Sequence, residues 1–239
     1  MAEYITLPLR NLHEVPNGVS DEEACFAEPL AAACRVVEQK LVDFSKDSNF
    51  KQVAMIGDGK LGLMIAEVMG REFLCKQGED SLGSAPVLFG KHWNKMELVK
   101  GCGVIPKNIA DCTNADGTIK SEYRGIFDVV IDATGSPSGL SLATSMCRAM
   151  GTLVLKSTCA AGETFNAAPF VIDELMVVGS RCGPIEKALE LLSISDDSII
   201  KPLNVQKYIT KAFPLQNAQD AIDCAAMRGT MKVQIICSE

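Results

Sequence analysis

Gly57, Gly59 and Gly62, in the run Ile56-Gly57-Asp58-Gly59-Lys60-Leu61-Gly62, have the spacing of a turn that can hold a diphosphate on backbone N–H groups. Each glycine has its own task. Gly57 permits a tight turn, Gly59 lets the backbone approach a pyrophosphate, and Gly62 lets a helix pack closely on its strand. Lys60 and Leu61 open that helix, whose unpaired N–H groups and positive dipole end would face the phosphates. The alternative is a glycine-rich structural turn in an α/β sheet.

The flanking elements decide whether such a turn is placed for binding. Val53–Ile56 reads as a buried strand, and Leu61, Ile65, Val68 and Met69 recur at helical spacing, so the glycines stand between strand and helix. Further apolar runs at 86–90, 103–105, 126–132, 151–156 and 175–179 read as strands. Helical patterns at 94–100 and 138–150 lie between them, and 76–85 reads as a surface loop. Strands alternating with helices in this way predict an α/β fold, a doubly wound six-stranded parallel sheet.

On the N-terminal side, Ser20 and Glu23 form a capping box for a helix, and a second helix runs from Glu28-Pro29 to Leu41. Beyond Pro184 the pattern predicts a helix to Leu192, a helix over 215–227 and a strand over 231–236.

The 239 residues, 47% hydrophobic and 22% charged, can bury a core. A net charge of -7 argues against nucleic acid or an anionic membrane as partner, and points to a small molecule whose identity the sequence leaves open. No signal peptide and no apolar run of about 18 residues is seen, so a soluble, cytoplasmic protein is expected. The ten cysteines contain no C-x-x-C pair and mostly lie in apolar segments, which predicts buried free thiols.

Phe26-Ala-Glu28-Pro29-Leu30, Gly57-Asp-Gly59-Lys-Leu-Gly62, Asp132-Ala-Thr-Gly135 and Val178-Gly179-Ser180-Arg181 stand in an order that resembles the medium-chain, zinc-type alcohol dehydrogenases. The threonine and polyol dehydrogenase-like branch is the most similar. The resemblance implies a Rossmann domain at 34–183, flanked by remnants of a GroES-like catalytic domain at 1–33 and 184–239. It also implies that the chain starts after the zinc-ligand cysteine and the Gly-His-Glu motif of the family. Glu28 matches a glutamate near the catalytic zinc, but one glutamate cannot hold a metal, so no metal ligand is assigned. A helix N-terminal acid is the alternative for Glu28. His13-Glu14 lacks the motif glycine and reads as surface. Cys159 and Cys182 have no partner base at defined spacing.

The family reads the adenosine ribose at the end of the second strand, here Phe89-Gly90-Lys91-His92 with Lys95 one turn on. With no acid there and with Lys91, His92 and Lys95 available for a 2′-phosphate, NADP is expected over NAD. By the same resemblance Ala133, Thr134, Gly135, Ser157, Thr158, Gly179, Ser180 and Arg181 line the cofactor, and Lys232 reaches its pyrophosphate. The expectation is a cofactor-binding portion of an alcohol dehydrogenase-like oxidoreductase, weak or inactive alone, which the family implies would form a homodimer through the sixth strand. The alternatives are a non-catalytic NADP-binding module or partner subunit, and a zinc-free reductase of the quinone reductase type. A methyltransferase would want an acid after the second strand, where Gly90 stands.

Overall fold

The computed structural model describes residues 2, 4–45, 52–78, 84–158, 166–193 and 203–237. The chain divides into two compact units, Pro29–Pro184 and a unit made of Met1–Glu28 with Ile185–Glu239.

In the second of these, helix α1 (Asp21–Ala24) starts at Ser20, whose hydroxyl accepts from the Glu23 N–H while the Glu23 carboxylate accepts from the Ser20 N–H, closing the expected capping box. Helix α2 (Ala27–Glu38) begins here and continues into the other unit, with the exposed Glu28 in its first turn.

The Pro29–Pro184 unit is built on β1 (Val53–Ile56), α3 (Lys60–Gln77), β2 (Val87–Gly90), the single turn α4 (Trp93–Met96), β3 (Ile105–Asn108), β4 (Phe127–Asp132), α5 (Pro137–Met146), β5 (Cys147–Leu155), α6 (Ala168–Ile172) and β6 (Met176–Gly179). Its six strands are all parallel in the order β3-β2-β1-β4-β5-β6. The α/β doubly wound sheet is therefore found. Its strand order reverses between β1 and β4, the place where ligands of such sheets bind. All four β1 residues are buried, because helices cover both faces of a parallel sheet. Ala54 and Ile56 enter a cluster with Phe89, Phe127, Val130, Met146 and Leu153, and successive residues of β1 point to the opposite face.

Several elements differ from the sequence reading, three of them in ways that follow from particular residues. The third strand starts at Ile105 rather than Gly103, since Gly103 has φ of +93° and packs where a Cβ would meet the Gly70 carbonyl. Pro106 sits inside that strand, which is tolerated because β3 is a sheet edge. The fifth helix stops at Met146 instead of 150, and the apolar run that follows joins β5, with Met150 at φ of +60° marking an irregular stretch. The pattern over 94–100 splits into α4 and a 3-10 turn, Glu97–Val99.

The other unit continues with α7 (Ile185–Ser193), β7 (Ile209–Pro214), α8 (Ala218–Ala226) and β8 (Lys232–Ile236). β7 and β8 form a two-stranded parallel sheet. β7 escapes the sequence reading because Thr210, Lys211 and Ala212 are exposed and give no apolar alternation. Among the described residues no helix is long and apolar enough to cross a membrane. The described cysteines are free, but only Cys34, Cys112 and Cys147 are buried while Cys25, Cys75 and Cys182 are exposed, so the expectation of mostly buried thiols is corrected. Burial raises the Cys147 thiol to about 11. Cys159 lies outside the described residues.

Candidate functional site

β1 delivers the chain to the glycine turn at the centre of the sheet's carboxyl edge. The Gly57 N–H donates to the Phe89 carbonyl at 2.9 Å and the Ala133 N–H donates to the Ile56 carbonyl at 2.9 Å, so the turn is held from β2 on one side and from the end of β4 on the other. Gly57 has φ of +117°, and a Cβ there would meet the Ala133 carbonyl oxygen at 2.7 Å. A Cβ on Gly62 would run into the Gly57 carbonyl, so α3 sits on the turn only because residue 62 is glycine. Gly59 is different. It has an ordinary extended backbone, with φ of -76°, and a Cβ would meet nothing within 4 Å. The space beside Gly59 is thus open, at the start of an 18-residue helix whose first N–H groups have no partner within it.

A cavity of about 210 Å³ lies against this turn, lined by Gly57, Asp58, Gly59, Gly90, Lys91 and Thr134 among others. A larger one, about 690 Å³, runs from Asp132 and Ser157 along α5 to Arg124 and Asp173. The smaller is the candidate site, because it is the one walled by the glycine turn, including the open Gly59 that caps α3.

At the end of β4 the buried Asp132 carboxylate accepts from the Thr134 N–H at 2.9 Å and from its hydroxyl at 2.7 Å. Gly135, at φ of +67°, donates its N–H to the Ser157 hydroxyl at 2.7 Å. Ala133, Thr134, Gly135 and Ser157 are thereby fixed as one rim, with Thr158 exposed beside it. Gly179 and Arg181 are exposed at the end of β6, whereas Ser180 is buried. The Ser180 hydroxyl is taken by the Lys156 ammonium at 3.1 Å, which leaves its backbone rather than its side chain for a ligand. Lys156 also donates to the carbonyls of Ala32 at 2.6 Å and Arg181 at 3.0 Å. Burial lowers this lysine to about 8.

Because the strands are parallel, Gly57 to Gly62, Gly90 to Lys95, Ala133 to Gly135, Ser157 to Thr158 and Gly179 to Arg181 all fall on one edge of one sheet. Lys232 belongs to the other unit, where its ammonium lies 5.5 Å from the centre of the Phe26 ring.

One participant was absent from the sequence reading. Asp58, buried, reaches from the turn to the end of β2 and accepts from the N–H groups of Lys91 at 2.8 Å and His92 at 2.6 Å. Its Oδ2 also stands 2.9 Å from His92 Nδ1. Burial alone would raise the Asp58 carboxyl, but the His92 and Lys91 N–H groups and the His92 ring outweigh it and hold it below the ordinary value.

Among the described residues no group of three His, Cys, Asp or Glu side chains converges as a metal site would require. Glu28 is exposed, and His13 pairs with Glu186 at 3.0 Å within the other unit. The described donors therefore do not fit zinc. The glycine turn does fit a dinucleotide, with one glycine shaped by packing on each side of an open one.

Residues 82–196 match a family model described as zinc-binding dehydrogenase. Over 98% of its length the chain is 26% identical to D-arabinitol dehydrogenase 1 of Uromyces fabae, covering 63% of that protein. A Sinorhizobium meliloti 1021 protein described as a zinc-binding dehydrogenase, bound to NADP, superposes with a TM-score of 0.74 at 22% identity, over 96% of this chain and 64% of the other. An Escherichia coli CFT073 alcohol dehydrogenase complexed with NADH gives 0.70 at 22% identity, over 95% and 63%. At these identities the superpositions establish the fold. The chain spans less than two thirds of the length of these relatives.

Proposed function

We propose a function for this chain, which belongs to the medium-chain, zinc-type dehydrogenase/reductase family: it binds a nicotinamide dinucleotide, as the cofactor-holding part of an oxidoreductase that interconverts an alcohol, of polyol type, and a carbonyl. The observation that carries this reading is the open space at Gly59 between two glycines that packing requires, at the point where the strand order reverses.

In this reading the first N–H groups of α3, at Lys60, Leu61 and Gly62, take the diphosphate. The rim of Ala133, Thr134 and Gly135 would hold the nicotinamide half, and the backbone after β5 and β6, at Ser157, Thr158, Gly179, Ser180 and Arg181, would orient its ring. Lys156 uses all three of its donors on protein acceptors. Its part is to keep those two strand ends in place. A bound nicotinamide supplies hydride transfer, and the protein contributes position. Activation of the substrate oxygen depends on groups that the described residues do not bring together, so the chain alone is expected to bind cofactor with little turnover.

Between NADP and NAD two features pull in opposite directions. Lys91 and Lys95 favour a 2′-phosphate, and the Asp58 carboxylate opposes it. Assembly follows the same reading. β6 is a sheet edge on which Met176 and Val177 are exposed, and Val171 and Ile172 of α6 are exposed too, which supports pairing with a second copy there.

The test is Gly59→Val. Its backbone suits valine and its Cβ meets no atom within 4 Å, so the variant is expected to fold with an unchanged melting temperature while NADH and NADPH binding, read by fluorescence titration, weakens at least tenfold. Unchanged affinity would make the turn scaffold only.

A further inference from the structure

We propose that Asp58 makes this site selective for NAD(H) against NADP(H), by occupying with its own carboxylate the backbone cradle that a 2′-phosphate would need. The inference rests on the dinucleotide reading above and adds the identity of the adenosine ribose that the site accepts.

The geometry is specific. Asp58 leaves the glycine turn of β1, yet its side chain ends on β2: a Cβ added to Gly90 would stand 2.8 Å from the Asp58 Cβ and 2.7 Å from the Met96 sulfur. Gly90 is small because Asp58 fills the space above it. Room that in the sequence could be credited to a phosphate is already taken. Two successive N–H groups, of Lys91 and His92, converge on Asp58 Oδ2, with the His92 ring as a third partner of the same oxygen. Successive backbone N–H groups aimed at one point form a concave anion site, and the end of the second strand is where sheets of this kind recognise the ribose 2′ position.

This anion site is occupied from within the chain. A 2′-phosphate would have to displace the carboxylate or sit beside it, and in either case meets a like charge in a partly enclosed cavity. Among the described residues, every hydrogen bond to the Asp58 carboxylate goes to Oδ2. Oδ1 remains as an acceptor on a residue that lines the same cavity as Gly59 and Gly90. An ionised carboxylate only accepts, so it suits a ribose hydroxyl, which donates. Asp58 thus does from the first strand what an acid at the end of the second strand does elsewhere. Of the basic groups, His92 is committed to Asp58, and the exposed Lys91 is left as a solvated charge.

The experiment is a fluorescence titration of the purified 239-residue chain, Asp58→Ala and Asp58→Asn with NADH and with NADPH, each variant checked for its fold by circular dichroism. The native chain is expected to bind NADH at least tenfold more tightly than NADPH. Asp58→Ala frees the Lys91 and His92 N–H groups and the His92 ring, so NADPH should tighten at least tenfold while NADH weakens, and the preference should disappear or invert. Asp58→Asn keeps an acceptor for those N–H groups but loses the charge, and should shift the ratio by threefold or more; it decides the matter if the alanine variant does not fold. Native binding of NADPH as tight as that of NADH, or a ratio that neither variant moves, overturns the proposal while leaving the dinucleotide reading intact. Binding of neither nucleotide by the native chain overturns both.

Discussion

The two units of this chain bury their apolar residues in different ways. In the Pro29–Pro184 unit every residue of β1 is buried and β4 is buried at five of its six positions, so both faces of the central strands are covered. In the unit of Met1–Glu28 with Ile185–Glu239, the sheet has two strands, three successive residues of β7 are exposed, and Tyr4, Ile5, Leu9, Ile222 and Met227 stand in water. A two-stranded sheet gains little from its own pairing and relies on what packs against it. The lesson is one of placement: apart from Glu28 and Lys232, every candidate residue, and the added Asp58, belongs to the unit whose strands are fixed from both sides. A diphosphate turn needs backbone held to within tenths of an ångström, and a doubly covered parallel sheet supplies that stiffness.

Truncating one buried aromatic ring in each unit would break or sharpen this comparison most. Phe89, fully buried, stands edge-on to Tyr123 at 5.6 Å and Phe127 at 5.8 Å, and its carbonyl accepts from Gly57. Phe89→Ala is expected to cost about 3–5 kcal/mol in denaturant unfolding and to abolish dinucleotide binding with it. Phe26, equally buried, packs on Tyr208 at 6.4 Å in the other unit. Phe26→Ala should cost a similar amount there and leave NADH affinity within about twofold of native. Loss of binding in Phe26→Ala would show that the units do not act separately.

How much of this was legible in the sequence follows from the range of each interaction. Gly57, Gly59 and Gly62 could be read because their constraints are local, and Ser20 and Glu23 because a capping box closes over three residues. Six strands were visible as apolar runs, with β3 misplaced because Gly103 and Pro106 disguise where pairing starts. Asp58 was missed since its partners lie 33 and 34 residues away, although an acid between two turn glycines was a signal that a side chain must leave the turn for a neighbouring strand. Lys156 was read only as the last residue of the run 151–156, and its acceptors are 24, 25 and 124 residues distant. Charge on Lys91 and His92 was visible, but not the carboxylate already spent on their N–H groups.

A smaller effect separates the two kinds of glycine within the better-packed unit. Gly62→Val places atoms against the Gly57 carbonyl, which is backbone and cannot turn aside. The expected loss is about 1–3 kcal/mol or somewhat more, seen as a lowered melting temperature together with weaker binding. Gly59→Val should lose binding alone. If both variants lose stability equally, the distinction between packing glycine and open glycine fails, and with it the reason for locating the diphosphate at residue 59.

The smallest and most pH-dependent effect concerns Lys156, which joins the end of β5, the middle of α2 and the segment after β6 inside one unit. Lys156→Met leaves two carbonyls and a hydroxyl without their donor, at an expected cost of about 1–3 kcal/mol at pH 7. Burial lowers the ammonium from 10.5 to about 8 in the folded protein. The folded state therefore releases this proton near pH 8 while the unfolded chain keeps it until 10.5, so between those values the unfolded state binds more protons and stability rises with pH. The rise from this group is at most about 3 kcal/mol, and less to the extent that its three acceptors favour the charged form. Chemical denaturation of both proteins from pH 7 to 10.5 should show the native chain gaining on Lys156→Met as pH increases. A gap that stays constant or narrows would mean that the ammonium is solvated, and that the ends of β5 and β6 are held by packing rather than by this side chain.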